Sequence, residues 1–213
     1  MDKKDLYRYV DHTALTAVTT WEDIKKLSQE ALDHQMASVC IPCGYIRRAH
    51  AAFPELTICT VIGFPLGNTS SEAKAAEARQ ALADGASEID MVINIGDVKN
   101  GDFGKVTAEI ALLKEIAGDH ILKVIAETCY LTQEEKISVC RCVTEGGADF
   151  IKTSTGFGTA GAKLEDVRLF RENIGENVKI KAAGGIRTQE EMEAMIAAGA
   201  DRIGTSSAIR MLG

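Results

Sequence analysis

The sequence predicts an α/β fold in one domain, because strand-like and helix-like segments alternate almost without interruption along the chain. Eight short apolar runs rich in β-branched residues predict eight strands, and helical patterns separate most of them. No linker rich in proline, glycine or serine divides the chain, and 213 residues are enough for an eight-stranded barrel. Together these observations predict a TIM (β/α)8 barrel that occupies residues 1–213 as a single domain.

The predicted strands are short, apolar and bounded by residues that favour turns. Parallel strands buried on both faces are typically near-continuous apolar runs of this kind. In chain order the predicted strands are Tyr9–Thr13, Ser38–Ile41, Thr57–Ile62, Glu88–Ile93, Ile121–Ala126, Asp149–Lys152, Val178–Ala182 and Arg202–Gly204.

The predicted helices repeat apolar residues at helical spacing, and four of them begin with a threonine three positions before a carboxylate. This is the pattern of a capping box, in which the hydroxyl and the carboxylate satisfy free backbone N–H groups. The four pairs are Thr20 with Asp23, Thr69 with Glu72, Thr132 with Glu135 and Thr188 with Glu191. The predicted helices are Thr20–Gln35, Thr69–Asp84, Asp102–Ala117, Thr132–Glu145, Leu164–Ile174 and Thr188–Ala198.

An internal repeat of glycine, alanine and a short strand begins at Gly85, Gly147 and Gly199. The fifth residues after these glycines are Asp90, Lys152 and Gly204. Equivalent positions in a barrel lie at equivalent heights, here toward the C-terminal ends of the strands, where barrel enzymes assemble their active sites. A general similarity of helix-to-strand connections would explain the glycines but not the aspartate and the lysine.

Lys152 is the first candidate catalytic residue, because it ends the strand-like run Asp149–Lys152 and precedes the turn-forming segment Thr153–Gly156. A lysine buried there loses the hydration that its charged form needs, and its amine becomes available as a nucleophile. The alternative is a lysine whose ammonium group extends to solvent at the strand terminus.

Alternation along the strands predicts which side chains share the barrel interior with Lys152. The apolar neighbours of Asp90 and Lys181 are expected to face the helices, so these two charged residues face inward. Lys123 on the fifth strand is expected to do the same, and Asp11 on the first strand is a further candidate. Charged side chains are rarely buried without partners, so this convergence indicates a functional site, with a purely structural ion-pair network as the alternative.

Two glycine-containing loops predict a binding site for an anion. The segment Ala182–Thr188 follows the seventh strand and leads into a capped helix, and Gly204–Ser207 follows the eighth strand. Barrels frequently bind phosphate at the loops after strands seven and eight, through free backbone N–H groups. Glycine also occurs in such turns for steric reasons alone, so each loop by itself is weak evidence.

The net charge of −7 and the lack of a basic stripe argue against a nucleic-acid partner. The N-terminal segment Met1–Asp5 leads into no apolar signal sequence, and no apolar run reaches the length of a membrane span. We therefore expect a cytoplasmic protein without a membrane partner. A small phosphorylated ligand stays compatible with the charge, because it needs only a local cluster of donors.

Cys40 and Cys43 form a C-x-x-C motif, which is typical of a redox pair or of half a zinc site. A zinc site needs a second pair, and Cys140 and Cys142 have the wrong spacing for it. We favour the interpretation that the six cysteines are small buried residues in a reducing compartment. The four histidines form no ligand cluster in the sequence, so no metal site is predicted.

Six segments of the chain resemble the deoxyribose-phosphate aldolase family, in the same order and nearly from end to end. They are Asp11–Thr13, Val61–Gly67, Glu88–Asp90, Leu122–Thr128, Phe150–Gly156 and Lys181–Arg187. The resemblance implies a class I aldolase on a TIM barrel, a carbon–carbon lyase of deoxyribose phosphate breakdown. Such an enzyme cleaves 2-deoxy-D-ribose 5-phosphate reversibly to D-glyceraldehyde 3-phosphate and acetaldehyde.

The resemblance also implies roles for individual residues. Lys152 would form a Schiff base with the substrate, and Asp90 and Lys181 would assist proton transfer. Asp11 and Lys123, predicted to face inward from strand alternation, would form a supporting polar network. The positions implied for phosphate binding are Gly156, Gly184, Gly185, Arg187, Gly204, Ser206 and Ser207. The chemistry needs no cofactor and no metal, because the imine accepts the electron pair. The implied partner is a small phosphorylated sugar, and family members are commonly homodimers or higher homo-oligomers.

Two departures limit this transfer of roles. Some members of the family carry a lysine near the phosphate after the Thr-Gly pair, where this chain has Phe157. Some longer members carry a tyrosine in a C-terminal tail that assists a proton step, and this sequence ends at Leu212-Gly213 without it. The phosphate charge and that proton step must then be served by other groups.

Two functions from other classes are compatible with the same residues. One is a metal-independent phosphosugar isomerase or epimerase in which Lys152 acts only through its charge. The other is a non-catalytic barrel that binds a phosphorylated metabolite and whose interior charges are structural. A covalent imine would distinguish the aldolase from both.

Overall fold

The computed structural model describes residues 1–213, and its eight strands close into one parallel barrel as predicted. Each strand pairs with its neighbour in sequence, and the last pairs with the first. The strands are β1 Val10–Thr13, β2 Ser38–Ile41, β3 Ile58–Ile62, β4 Glu88–Val92, β5 Ile121–Ile125, β6 Phe150–Lys152, β7 Lys179–Ala183 and β8 Arg202–Thr205. All eight predicted strands are present, most of them shifted at one or both ends by a residue.

Ten helices surround the barrel or close its ends. They are α1 Lys3–Tyr7, α2 Trp21–Asp33, α3 Ile46–Ala52, α4 Ser71–Ala83, α5 Ile95–Lys99, α6 Phe103–Ala117, α7 Gln133–Glu145, α8 Leu164–Asn173, α9 Gln189–Ala197 and α10 Ala208–Leu212. The six predicted helices are confirmed. The four that were not predicted span only five to seven residues, too few to show a helical period. None of the helices has the length and apolar character needed to cross a membrane.

Three of the four predicted capping boxes are present, at Thr20, Thr132 and Thr188. The prediction for Thr69 is wrong. Ser70 caps α4 instead, and its side chain accepts a hydrogen bond from the backbone N–H of Ala73 at 3.2 Å. Several hydroxyl residues follow one another here, and the residue three positions before Ala73 is the one whose oxygen can reach the free N–H.

The main hydrophobic core lies between the barrel and the helices, and it contains Ile89, Met91 and Ile93. Asp90, between these apolar residues on β4, therefore points into the barrel, as alternation predicted. The same holds for Lys123 on β5 and Lys181 on β7, which are fully buried inside the barrel.

The strand register arranges the inward side chains in layers of four. Strands of an eight-stranded barrel are inclined, so equal height advances by about one residue from each strand to the next. Following the register from β2 to β8 gives an upper layer from the even-numbered strands: Cys40, Asp90, Lys152 and Gly204. The odd-numbered strands supply the layer below it: Asp11, Cys59, Lys123 and Lys181. The three repeat positions Asp90, Lys152 and Gly204 thus lie at the same height, as the repeat predicted.

Candidate active site

Asp90 is the centre of the charged cluster inside the barrel. Its Oδ2 accepts hydrogen bonds from Lys152 Nζ and Lys181 Nζ, both at 2.8 Å. Its Oδ1 accepts from Lys123 Nζ at 2.9 Å and from Cys59 Sγ at 3.1 Å. Complete burial opposes the charge of this carboxylate, but the three lysines outweigh burial and hold the pKa of Asp90 well below its usual value. Asp90 is therefore an anion that bridges three cations.

Below Asp90, two more carboxylates bind the remaining cations. Lys181 Nζ lies 2.5 Å from Asp11 Oδ2, and Lys123 Nζ lies 2.6 Å from Glu88 Oε2. Arg202 donates to Asp11 and also to Glu88 Oε1, the latter at 3.0 Å. Burial alone would lower the pKa of Lys123 and Lys181, but the surrounding carboxylates raise both above the ordinary value for lysine. These two lysines are held in their charged form.

Lys152 differs from the other cations of the cluster in two ways. It contacts a single carboxylate, Asp90, and shares it with Lys181, whereas Lys123, Lys181 and Arg202 each contact at least two. It is also the only lysine of the cluster that lines the cavity at the C-terminal end of the barrel. Its ammonium group is consequently the least compensated charge and the one open to a ligand.

The cavity has a volume of 670 Å³ and extends from Lys152 to the loops after β6, β7 and β8. It is also lined by His12 and the loop between β1 and α2, and by Asp23, Lys26, Leu27 and Glu30 of α2. All seven residues that the resemblance assigned to phosphate binding line it: Gly156, Gly184, Gly185, Arg187, Gly204, Ser206 and Ser207. The structure thus brings these residues and Lys152 together in one cavity.

The loops after β6, β7 and β8, called the anion-binding wall below, offer free hydrogen-bond donors. The backbone N–H groups of Gly156, Gly184, Gly185 and Ser206 donate to no group of the protein. The three glycines have φ values of 89°, 87° and 79°, which residues with a side chain rarely adopt. Unpaired N–H groups that converge on a cavity are suited to bind an anion such as a phosphate group.

Gly204 has no side chain at a point where the barrel interior is already filled. A Cβ atom at this position would lie 2.9 Å from Ala183 Cβ and 3.1 Å from Lys181 Cε. The glycine therefore leaves room for the Lys181 side chain beside β8, and its own backbone lines the cavity.

The loop that follows Lys152 is fixed by Glu127. This residue has a left-handed backbone conformation, with φ of 52°, two positions after the end of β5. Its carboxylate accepts hydrogen bonds from the backbone N–H of Thr155, at 3.2 and 3.3 Å, and from the Thr155 hydroxyl. Nothing in the sequence pairs Glu127 with Thr155.

Strand alternation could also have predicted from the sequence that further residues of the cluster face inward. Glu88 and Arg202 stand two positions before Asp90 and Gly204, so they share the inward face of their strands. Cys59 stands opposite Cys40 across β2 and β3, and its thiol contacts both Asp90 Oδ1 and Lys123 Nζ, the latter at 3.3 Å.

The two cysteines of the C-x-x-C motif lie in different environments. Cys40 lies in the upper layer of the barrel, whereas Cys43 begins a 3₁₀ turn, Cys43–Tyr45, where its thiol donates to Val61 O at 3.3 Å. Burial raises the pKa of the Cys43 thiol to about 11, so this residue is a poor nucleophile. All six cysteines are free thiols.

Cys40, Cys59 and Asp90 place three possible metal ligands within 4.8 Å of one another. Three lysine ammonium groups already surround this set at the distances given above, and a metal cation would be repelled by them. The donor set therefore does not favour a metal.

Phe157 follows Gly156 and lines the cavity. Its ring is 54% exposed and packs edge to face against Phe64, with ring centroids 5.4 Å apart. It contributes apolar surface and no charge to the anion-binding wall.

Comparison with known proteins identifies the family. The profile of the DeoC/LacD family aldolases matches residues 6–209. A deoxyribose-phosphate aldolase of Clostridium botulinum (strain Eklund 17B / Type B) is 59% identical over 213 residues, covering 100% of this chain and 96% of that protein. A deoxyribose-phosphate aldolase of Clostridioides difficile (strain 630) is 53% identical over 210 residues, covering 98% and 96%.

A solved structure has the same fold. The deoxyribose phosphate aldolase of Aeropyrum pernix, described as a tetramer, superposes with a TM-score of 0.90 at 31% identity, covering 99% of this chain and 91% of that one. Both the sequence and the barrel with its buried lysines therefore lead to one assignment: this chain is a lyase that belongs to the DeoC/LacD aldolase family.

Proposed function

We propose that the enzyme cleaves 2-deoxy-D-ribose 5-phosphate reversibly to D-glyceraldehyde 3-phosphate and acetaldehyde, through a Schiff base on Lys152. The observation that carries this proposal is the position of Lys152, the one lysine of the buried cluster whose amine faces the cavity. The names of the 53–59% identical relatives support the same substrate.

The charge balance of the cluster supports a nucleophilic Lys152. Four cations, Lys123, Lys152, Lys181 and Arg202, share three carboxylates, Asp11, Glu88 and Asp90. One positive charge is in excess, and burial makes an excess charge costly. Of the four cations, Lys152 makes the fewest ion pairs and is the one that lines the cavity, so the proposal takes its amine as the nucleophile.

The reaction follows from a neutral amine at this position. The amine adds to the C1 aldehyde of the open-chain sugar, and water leaves to give a protonated imine. The C2–C3 bond then breaks, its electron pair enters the resulting enamine, and the C3 hydroxyl loses its proton as glyceraldehyde 3-phosphate departs. Protonation of the enamine carbon and hydrolysis of the imine release acetaldehyde and restore Lys152.

Asp90 and Lys181 are placed to assist the proton transfers. Asp90 Oδ2 lies 2.8 Å from the amine of Lys152, so it is within hydrogen-bond reach of the reacting nitrogen. Imine formation leaves that nitrogen fewer N–H donors, which weakens its hold on Asp90 and makes the carboxylate a better base. Lys181 shares the same oxygen and keeps it oriented.

The anion-binding wall accounts for the phosphate of the proposed substrate. Free backbone N–H groups and the hydroxyls of Ser206 and Ser207 can surround a phosphate at one end of the cavity while Lys152 holds C1 at the other. Arg187 adds a positive charge that has no carboxylate partner for its side chain within the protein.

Trapping of the intermediate tests the proposal. Sodium borohydride added with deoxyribose 5-phosphate should reduce the imine and leave a covalent adduct on the Lys152 peptide, identified by mass spectrometry. Lys105, a surface lysine in ion pairs with Asp97 and Asp102, serves as the control site and should stay unmodified. Active enzyme without any adduct would indicate an isomerase or epimerase, and the absence of both adduct and turnover would indicate a binding protein.

We also infer a homo-oligomer, either a dimer or a larger assembly. The support is the tetrameric assembly of the Aeropyrum pernix relative, which is 31% identical. Light scattering coupled to size-exclusion chromatography should give at least twice the mass of one 22.9 kDa chain, and the mass of a single chain would contradict this inference.

A further inference from the structure

Arg210 lies on α10 next to the anion-binding wall. Its Nη2 donates a hydrogen bond to the Ser207 hydroxyl oxygen at 3.0 Å, and Ser207 lines the cavity. No carboxylate lies within ion-pair distance of the Arg210 guanidinium, although three carboxylates bind the cations inside the barrel. This arginine therefore carries an uncompensated positive charge at the edge of the cavity.

The cavity itself is short of positive charge at its anion-binding end. Apart from Lys152, the cations that line it are Arg187 and Lys26. Lys26 belongs to α2, where it lies 3.8 Å from Glu30 and where Asp23 adds a further negative charge. A phosphate monoester carries a charge of about −1.5 to −2 at pH 7, and Arg187 alone supplies one positive charge to balance it. Phe157 adds none.

The hydrogen bond between Arg210 and Ser207 leaves donors on both side chains free to bind a phosphate. The Ser207 oxygen accepts from Arg210, so its own O–H is free to donate to a phosphate oxygen. The guanidinium uses one N–H for this contact and keeps other donors of its planar fork, which match the spacing of phosphate oxygens. The backbone N–H of Ser207 is already bonded to the Thr205 hydroxyl, at 3.0 Å, which holds the serine in place.

We propose that Arg210 is a specificity-determining residue of this enzyme, which binds the substrate phosphate together with Ser207 and adds a second positive charge to that of Arg187. The inference rests on the proposed function, because it assigns a second cation to the phosphate of the same substrate. In this role Arg210 makes the enzyme favour phosphorylated over unphosphorylated sugars. It takes no part in the chemistry at Lys152.

The test compares two substrates in four proteins. Steady-state kinetics are measured with deoxyribose 5-phosphate and with deoxyribose, for the wild type, Arg210→Ala, Arg210→Lys and the control Arg141→Ala. Arg141 is an exposed arginine on α7, away from the cavity. Unfolding temperatures of all four proteins show whether any loss comes from the fold.

Arg210→Ala should lower kcat/KM for the phosphorylated sugar by about tenfold, mainly through KM, because a charge-assisted hydrogen bond at an exposed site is lost. For deoxyribose it should change kcat/KM no more than Arg141→Ala does. Arg210→Lys should fall between wild type and alanine, since lysine keeps the charge but loses the fork. The tenfold difference should shrink as salt is raised, because exposed charges are screened.

An equal loss for both sugars, or no loss for the phosphorylated one, would overturn the role of Arg210. Neither result would contradict the proposed function, provided the wild type still turns over deoxyribose 5-phosphate. A wild type that is folded and turns over neither sugar would instead refute the aldolase proposal.

Discussion

Lys123 and Lys152 are two buried lysines of one barrel, and both donate to Asp90 at nearly equal distances, 2.9 and 2.8 Å. Lys123 lies one layer deeper, contacts Glu88 as well, and has no exposed surface. Lys152 has no second carboxylate, and its amine reaches the cavity. Burial alone thus does not make a lysine reactive. The number of carboxylates around the ammonium group, together with access to a ligand, distinguishes the structural lysine from the proposed nucleophile.

Replacement of the nucleophile should give the largest effect. Lys152→Met should reduce kcat/KM by a factor on the order of 10⁴ or more, because no other amine can form the imine. The fold should survive, since the substitution removes the excess positive charge of the cluster. Circular dichroism and the unfolding temperature measure the fold, and retention of more than a few per cent of the activity would assign the imine to another lysine.

The matched substitution one layer deeper should affect stability first. Lys123→Met leaves Glu88 and Asp90 each without one partner in a fully buried site, which should cost about 3–5 kcal/mol of unfolding free energy. Urea denaturation measures this loss. Lys99→Met removes the half-exposed partner of Glu135 and should cost about 1 kcal/mol or less. If Lys123→Met and Lys99→Met lose the same unfolding free energy, Lys123 is not a structural lysine.

The pH dependence of stability sharpens the comparison through the shared carboxylate. Burial opposes the charge of Asp90, but Lys123, Lys152 and Lys181 lower its pKa in the folded protein. The charged carboxylate therefore stabilises the fold above the unfolded pKa of about 3.9, and this contribution is lost as pH falls from there toward the lower folded value. In Asp90→Asn the unfolding free energy should decline less steeply below about pH 4 than in the wild type. Denaturation curves across this range measure the slope, and equal slopes would mean that the lysines do not stabilise the charged form.

The smallest expected effect concerns Cys59, which donates to the Asp90 oxygen that also binds Lys123. Cys59→Ala should cost about 1 kcal/mol of stability, because one hydrogen bond to a buried carboxylate is lost. Cys59→Ser keeps a donor and should recover part of that loss, as measured by urea denaturation. If serine proves no better than alanine, the thiol contributes only its volume.

The directions of the inward side chains could be predicted from sequence because they depend on local geometry. A strand alternates its faces, so apolar Ile89 and Met91 on the outside require Asp90 on the inside. The caps at Thr20, Thr132 and Thr188 are equally local, since each joins groups three residues apart. Even this local rule was wrong at Thr69, because three consecutive hydroxyl residues there, Thr69, Ser70 and Ser71, leave the cap undetermined.

The contacts that distinguish the two lysines could not be predicted in this way. Lys152 meets Asp90 across 62 residues and Lys181 meets Asp90 across 91. The pairing of Glu127 with Thr155 and of Arg210 with Ser207 depends on loops whose course no periodic pattern records. Which cation holds two carboxylates and which holds one is settled only when the strands close.

The sequence by itself determined the barrel, the inward faces of its strands and the presence of a lysine among buried charges, because strand alternation and helix capping act over a few residues. The tertiary structure decided how many carboxylates each cation shares. The reason is that electrostatic compensation depends on distances between side chains from different strands, and those distances are fixed by the inclination and closure of the whole barrel.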